Sequence, residues 1–284
     1  MWAISNNSKG QLSLISEDQI QAIIRPEENL ERWSHFIFPQ PKTKDLDKPR
    51  WVERELKLPN GESWLASIWI EPSTAHKAFT CRTYDVYLAL VEIWTQRGKP
   101  ETAFYTSMSE ICLQLDLEKG GRTINMLVEE CNKLLKTNIS WTLSYKLNAE
   151  IKTVKNQTIL STFNYSSMSE RVDKSDQFDK VCEIKFHDKI LQNLIENKTI
   201  PVNLAARKLI TSPIAKVLYN QVDTILATNN RPYSRTAKNL VQDLQLTASR
   251  YQYKSQRQKL VEQLQTNLNG RRLGNLNILN VANA

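Results

Sequence analysis

The stretch from Ser107 to Leu147 constrains the fold of this chain more than any other part of its sequence. Ser107-x-x-Glu110 has the spacing of a capping box, in which a hydroxyl and a carboxylate satisfy two backbone N–H groups at a helix start. Met108, Ile111, Cys112 and Leu115 then recur at i, i+3, i+4 and i+7, which puts them on one helical face. Lys119-Gly120-Gly121 reads as a turn. A further helix begins near Thr123, with Ile124, Leu127, Val128, Cys131, Leu134 and Leu135 on a single stripe. Ile139, Trp141, Leu143, Tyr145 and Leu147 alternate with polar residues, the pattern of a half-buried strand, and a return strand is expected around Thr158 to Tyr165. Upstream, Val52–Leu58 and Trp64–Ile70 flank Pro59-Asn60-Gly61 as a hairpin, and Thr83 to Thr95 forms an apolar helix closed by Gly98 and Pro100.

Helix, helix, turn, helix and hairpin is the plan of a winged helix-turn-helix domain. The plan recurs after a polar linker at residues 169–179. Cys182, Ile184 and Phe186 mark a strand, Asp188 to Asn197 a short helix, and Ser212 to Thr228 a longer one. Ser234 is placed to cap a helix with Ala237, Leu240, Val241 and Leu244 inside. Ser255-x-x-Gln258 opens another with Leu260, Val261, Leu264 and Leu268 on its apolar stripe. After Gly270 only one strand is evident, around Leu276 to Val281. The expected fold class is α+β: an N-terminal arm (1–50), a first winged helix (51–168), the linker (169–179) and a second winged helix (180–284).

Composition narrows the chemistry. With seven glycines in 284 residues there is no G-x-G-x-x-G and no G-x-x-x-x-G-K-[ST], so the usual backbone cradles for nucleotide phosphates are missing. His35, His76 and His187 are isolated, and Cys81, Cys112, Cys131 and Cys182 form no C-x-x-C; no metal and no cofactor is expected. Cys112 and Cys131 fit as small core residues. Met1 to Gly10 lacks an apolar signal segment and no run reaches the ~20 apolar residues of a membrane span, so a cytoplasmic protein without a membrane partner is expected. Rolling-circle nickases need a His pair beside a Tyr, and tyrosine recombinases need an Arg/His set. Neither pattern occurs, and no enzymatic activity is expected.

The net charge of +8 is not spread evenly. Residues 1–168 carry as many acidic as basic residues, whereas residues 199–284 hold twelve basic residues against Asp223, Asp243 and Glu262. A charge concentrated in this way is an electrostatic footprint for a polyanion. On the helix from Ser255, about 100° per residue sets Gln256, Lys259 and Gln263 away from the apolar stripe, as side chains suited to base edges in the major groove. Arg257 falls at the apolar edge, where it either reaches a phosphate or lies along the core. Ser249-Arg250-Tyr251-Gln252-Tyr253-Lys254 interleaves cations with aromatics, as a phosphate clamp does, although each tyrosine is equally a core or rim aromatic. Arg231, Tyr233, Ser234, Arg235 and Lys238 lie where the preceding helix would cross the backbone, and Arg271 and Arg272 open the second wing. In the first domain Arg122, Asn125 and Lys133 are available for a weaker contact, set against Glu118, Glu129 and Glu130.

Thr83–Trp94, Ser107–Leu115, Gly121–Leu127 and Tyr253–Leu260 resemble the corresponding stretches of plasmid replication initiators of the iteron-binding type, over about residues 51–284. The resemblance implies that the second winged helix reads the major groove of direct repeats at an origin, with Gln256, Lys259 and the Arg250–Lys254 segment in the base and phosphate roles. It implies that the first winged helix forms a homodimer and contacts DNA when monomeric. It also implies that the bound protein helps open the origin and recruits a host replication initiator and helicase. A repressor of a mobile element or of its own operon would use the same helices. Direct repeats of about 20 bp in the target would mark an initiator, and a single palindrome a repressor.

Overall fold

The computed structural model describes residues 23–32, 48–57, 62–147, 150–165, 181–228, 236–244, 246, 249–268, 272–273 and 276–277. The chain divides into two compact units. A central unit spans residues 42–199, and a terminal unit combines residues 1–41 with residues 200–284.

The terminal unit begins with β1 (Ile23–Ile24) and α1 (Glu28–Arg32). Buried Glu27 starts α1, its carboxylate accepting from the Leu30 amide at 2.9 Å and from Asn29 at 2.6 Å.

The central unit follows with β2 (Arg50–Lys57), β3 (Ser63–Glu71), α2 (Cys81–Gln96), β4 (Phe104–Ser107), α3 (Met108–Gln114), α4 (Gly121–Lys136), β5 (Asn138–Leu147), β6 (Glu150–Gln157), β7 (Leu160–Tyr165), β8 (Val181–Phe186) and α5 (Asp188–Ile195). Helix α2 is buried almost all round, from Cys81 to Trp94. A helix with so narrow a solvent face must sit inside its domain, and here it is the axis of the core. Its N-terminus carries the capping box that the sequence suggested for α3. Thr80 accepts from the Thr83 amide, and Thr83 Oγ1 accepts from the Thr80 amide at 3.0 Å. At α3 only half of that box forms. Ser107 caps at 3.1 Å, while the Glu110 carboxylate turns away to Arg97 at 2.7 Å and to Thr106 at 2.8 Å.

The hairpin β2–β3 forms as expected, with Trp51 opposite Trp69. Three pairings depart from expectation. The return strand of the wing is Glu150–Gln157, not Thr158–Tyr165. Strand β5 also pairs with β3, so the strands expected to form a separate wing belong to a four-stranded sheet in the order β2-β3-β5-β6. Strand β8, expected to open the second domain, lies instead at the centre of a sheet β4-β8-β7, so residues 181–199 belong to the central unit. Its Cys182, Ile184 and Phe186 are buried, and the Phe186 ring meets Tyr87, Trp94 and Phe104 at 5.9–6.2 Å. That apolar contact is what draws the strand into this core.

The chain returns to the terminal unit with β9 (Val202–Asn203), α6 (Leu204–Lys208), α7 (Pro213–Thr228), α8 (Ala237–Asp243), α9 (Lys254–Leu268), β10 (Arg272–Leu273) and β11 (Leu276–Asn277). Strand β9 pairs antiparallel with β1, and the Ile200 amide donates to the Pro26 carbonyl at 3.1 Å. Part of the expected N-terminal arm is therefore a structural part of the terminal unit. The last segment, read as a wing of one strand, holds two short strands, β10 and β11, paired antiparallel.

Lys133, expected to be available to a ligand, is buried. Its ammonium donates to Glu130 at 3.0 Å, and Glu130 accepts from Thr83 at 2.5 Å. Removing the charge from one side leaves the other buried and uncompensated. Glu130→Gln is expected to cost about 3 kcal/mol, read as a lower denaturant midpoint with an unchanged slope. All four cysteines are buried thiols. Burial pushes the Cys182 thiol up to about 11 and raises that of Cys131, which also lies near Cys182 and Glu130. No cysteine of the native chain should react with a maleimide at pH 7.5, and all four should do so in denaturant; fast native labelling would contradict this packing.

Candidate nucleic-acid interface

Helix α8 starts at Thr236, whose hydroxyl accepts from the Asn239 amide at 3.2 Å, so Thr236 and not Ser234 caps it. A 3-10 turn, Ser249–Gln252, leads into α9. Helix α9 begins at Lys254, with the Tyr253 carbonyl accepting from the Gln256 and Arg257 amides at 3.2 Å. Ser255 therefore lies inside the first turn and does not cap the helix. Leu240, Leu244, Leu246, Tyr251, Leu260, Val261, Leu264 and Leu268 are buried. The unit thus contains two helices, a 3-10 turn leading into the second, and then the antiparallel pair β10–β11. The central unit has the same order in α3, α4 and the β5–β6 hairpin.

This packing sorts the sequence-selected residues. Lys238, Arg250, Tyr253, Lys254, Ser255 and Lys259 are exposed. Among the described residues no carboxylate pairs with any of these cations. Arg250 donates to the Tyr251 hydroxyl at 3.1 Å, which orients its guanidinium along the turn. Gln256 is half-buried at the edge of the apolar face. In the central unit Arg122 and Asn125 are exposed in the first turns of α4, as expected. Ser249 lies in the 3-10 turn and Arg272 opens β10, but their side chains are outside the described residues, as are Arg231, Tyr233, Ser234, Arg235 and Arg271 altogether.

Three residues have structural work instead. Tyr251 is buried, which is the core reading of this tyrosine, and its hydroxyl accepts from Arg250. Arg257 donates from one nitrogen to the Tyr251 carbonyl at 3.1 Å and the Gln252 carbonyl at 2.7 Å, which ties α9 to the turn before it. Arg257, expected either at a phosphate or along the core, is half-buried and engaged by this nitrogen at the turn. Gln263 donates to the Ser212 hydroxyl at 3.0 Å. Asn267, one turn on, accepts from Thr211 at 3.1 Å and from the Ser212 amide at 3.2 Å. These contacts brace the rear of α9 against the start of α7. The sequence holds no periodic signal for them, because each joins a polar side chain to a hydroxyl or backbone group outside its own helix.

Electrostatics favour one end of α9. Its first turn holds no acidic residue, while Lys254 stands in that turn and Arg250 just before it. Cations at the positive end of a helix dipole oppose the usual preference, and an anion there relieves both.

No protein-family model and no curated protein matches the chain. Among solved structures, the chain is similar to a selenomethionine derivative of domain 2 and domain 3 of RctB. The TM-score is 0.53 with 11% identity, covering 87% of this chain and 87% of the other. A second crystal structure of RctB domains 2-3 gives a TM-score of 0.48 with 13% identity, over 86% and 85% of the two chains. The first likeness establishes a shared mixed α and β fold along most of both chains.

Arg257→Ala removes two charge-assisted bonds to backbone carbonyls and is expected to destabilise the terminal unit by about 2 kcal/mol. Calorimetry of the full chain would register a lower melting temperature; an unchanged melt would show that the tie to the turn carries no stability.

Proposed function

We propose that this protein binds double-stranded DNA sequence-specifically and acts as a replication initiator on direct repeats. The observation that carries the reading is the unpaired cationic edge of the α8–turn–α9 arrangement. Lys238, Arg250, Lys254 and Lys259 are all exposed there, on the part of the chain that holds its excess positive charge. In this reading each unit is a winged helix-turn-helix. Helix α9 enters the major groove with Lys259, Ser255 and Gln256 toward base edges, while Lys238, Arg250, Tyr253, Lys254 and the basic start of β10 meet phosphates. The central unit adds a weaker contact through Arg122 and Asn125 and is the dimerising half. Opening of the origin and recruitment of host initiator and helicase follow from the resemblance to iteron-binding initiators. The fold shared with RctB domains 2 and 3 supports the architecture this requires.

Selection of bound duplexes from a random pool by the purified full chain tests the reading. Direct repeats support initiation, a single palindrome supports a repressor, and no sequence preference rejects specific recognition. On the selected site, Lys259→Ala is expected to reduce the ratio of matched to scrambled binding about tenfold, one base contact's worth. Arg250→Ala should weaken both duplexes alike and lower the salt slope by about one. If neither variant differs from the parent protein on either duplex, α9 is not the reading helix.

A further inference from the structure

The four-stranded sheet of the central unit buries one face through Val52, Ala66, Ile68, Ile70, Ile139, Trp141 and Val154. Its other face is apolar and acidic at the β2 side. Trp51 is 52% exposed and Leu65 57%, and Trp51 meets Trp69 edge-to-face at 5.7 Å across the β2–β3 pair. Glu53, Glu55 and Glu71 share that face by the two-residue period, are exposed, and form no ion pair among the described residues. Strand β2 is also an edge. It pairs with β3, and no described strand lies along its other side. Edge strands are normally guarded by bulges or charged residues; β2 runs eight residues without a register break, with Lys57 at its end and Arg50 and Arg54 at inner-face positions.

An exposed tryptophan beside unpaired carboxylates, on a strand with no described neighbour along one side, is suited to a protein ligand. Duplex DNA is repelled by three carboxylates. A second copy of β2 is disfavoured as well. In-register parallel pairing sets Glu53 against Glu53 and Glu55 against Glu55, and antiparallel pairing centred near Arg54 that keeps Trp51, Glu53 and Glu55 on one face sets glutamates against or beside each other. A strand with arginine or lysine at alternate positions instead places cations opposite Glu53 and Glu55 and over the Trp51 ring. Its intervening side chains fall on the inner face, next to Val52.

We propose that β2 is a docking edge for an extended segment of a partner protein that alternates cationic and apolar residues, added as a fifth strand of this sheet. The site is independent of the DNA-reading helix. Fluorescence polarisation with the full chain tests it, using a labelled eight-residue peptide of alternating arginine and valine and its glutamate–valine counterpart. The arginine peptide is expected to bind at least about tenfold tighter. The double variant Glu53→Lys/Glu55→Lys, melting as the parent does, should invert that preference. Equal binding of the two peptides, or an arginine preference that survives the reversal, overturns the proposal. A reversal that changes self-association, or that weakens duplex binding, overturns it too, by assigning the face to a second copy or to DNA.

Discussion

Each unit depends on enclosing a helix that has little solvent face of its own. In the central unit that helix is α2, buried from Cys81 to Trp94, with α3, α4 and the Phe186 ring of β8 packed against it. In the terminal unit α7 plays the part, with Ile214, Ala215, Val217, Leu218, Tyr219 and Val222 all buried. A helix enclosed in this way must be surrounded before it is stable, and the surrounding elements are then fixed by contact with it. The candidate interface inherits this rigidity. Helix α9 is held along its length by its own apolar stripe, at one end by Arg257 on the turn carbonyls, and at the other by Gln263 and Asn267 on the start of α7. An interface that discriminates bases needs its reading helix held within a fraction of an ångström, and three polar braces on a short helix supply that.

What could be read from the sequence was local. The stripes Ile111–Cys112, Leu127–Cys131–Leu134 and Leu260–Val261–Leu264 are all buried, because a 3.6-residue period reports a buried face whatever lies against it. The hairpin β2–β3 was legible for the same reason, since its turn residues and its alternation are neighbours in the chain. Sheet partners were not. Nothing in Asn138–Leu147 says that β3 rather than β7 lies beside it, and nothing in Val181–Phe186 says that it is flanked by β4 and β7. Those pairings are decided by which aromatic surfaces close the core.

In the candidate interface, helical arithmetic found Lys259 and the cations before it. It overrated Gln263 and Lys133, and it left Tyr251 undecided, because exposure on a helical wheel says nothing of a partner arriving from elsewhere. Ser212 and Glu130 are such partners, and each draws a polar side chain out of service as a ligand contact. Burial of Tyr251 has a related cause: the 3-10 turn rotates it inward while Tyr253, two residues on, stays exposed.

The terminal unit is assembled from two distant stretches of chain, with β1 and α1 at one end of the sequence and β9 to β11 at the other. During synthesis, β1 leaves the ribosome well before its partner Val202–Asn203 exists, and the contiguous central unit is completed in between. The central unit can therefore fold before residues 200–284 have been made, whereas the basic unit closes only after its second stretch of chain has emerged. A chain interrupted between Thr199 and Ala237 would present a finished central unit without the cationic helix pair. The surface proposed to meet DNA is thus completed only after the contiguous unit before it.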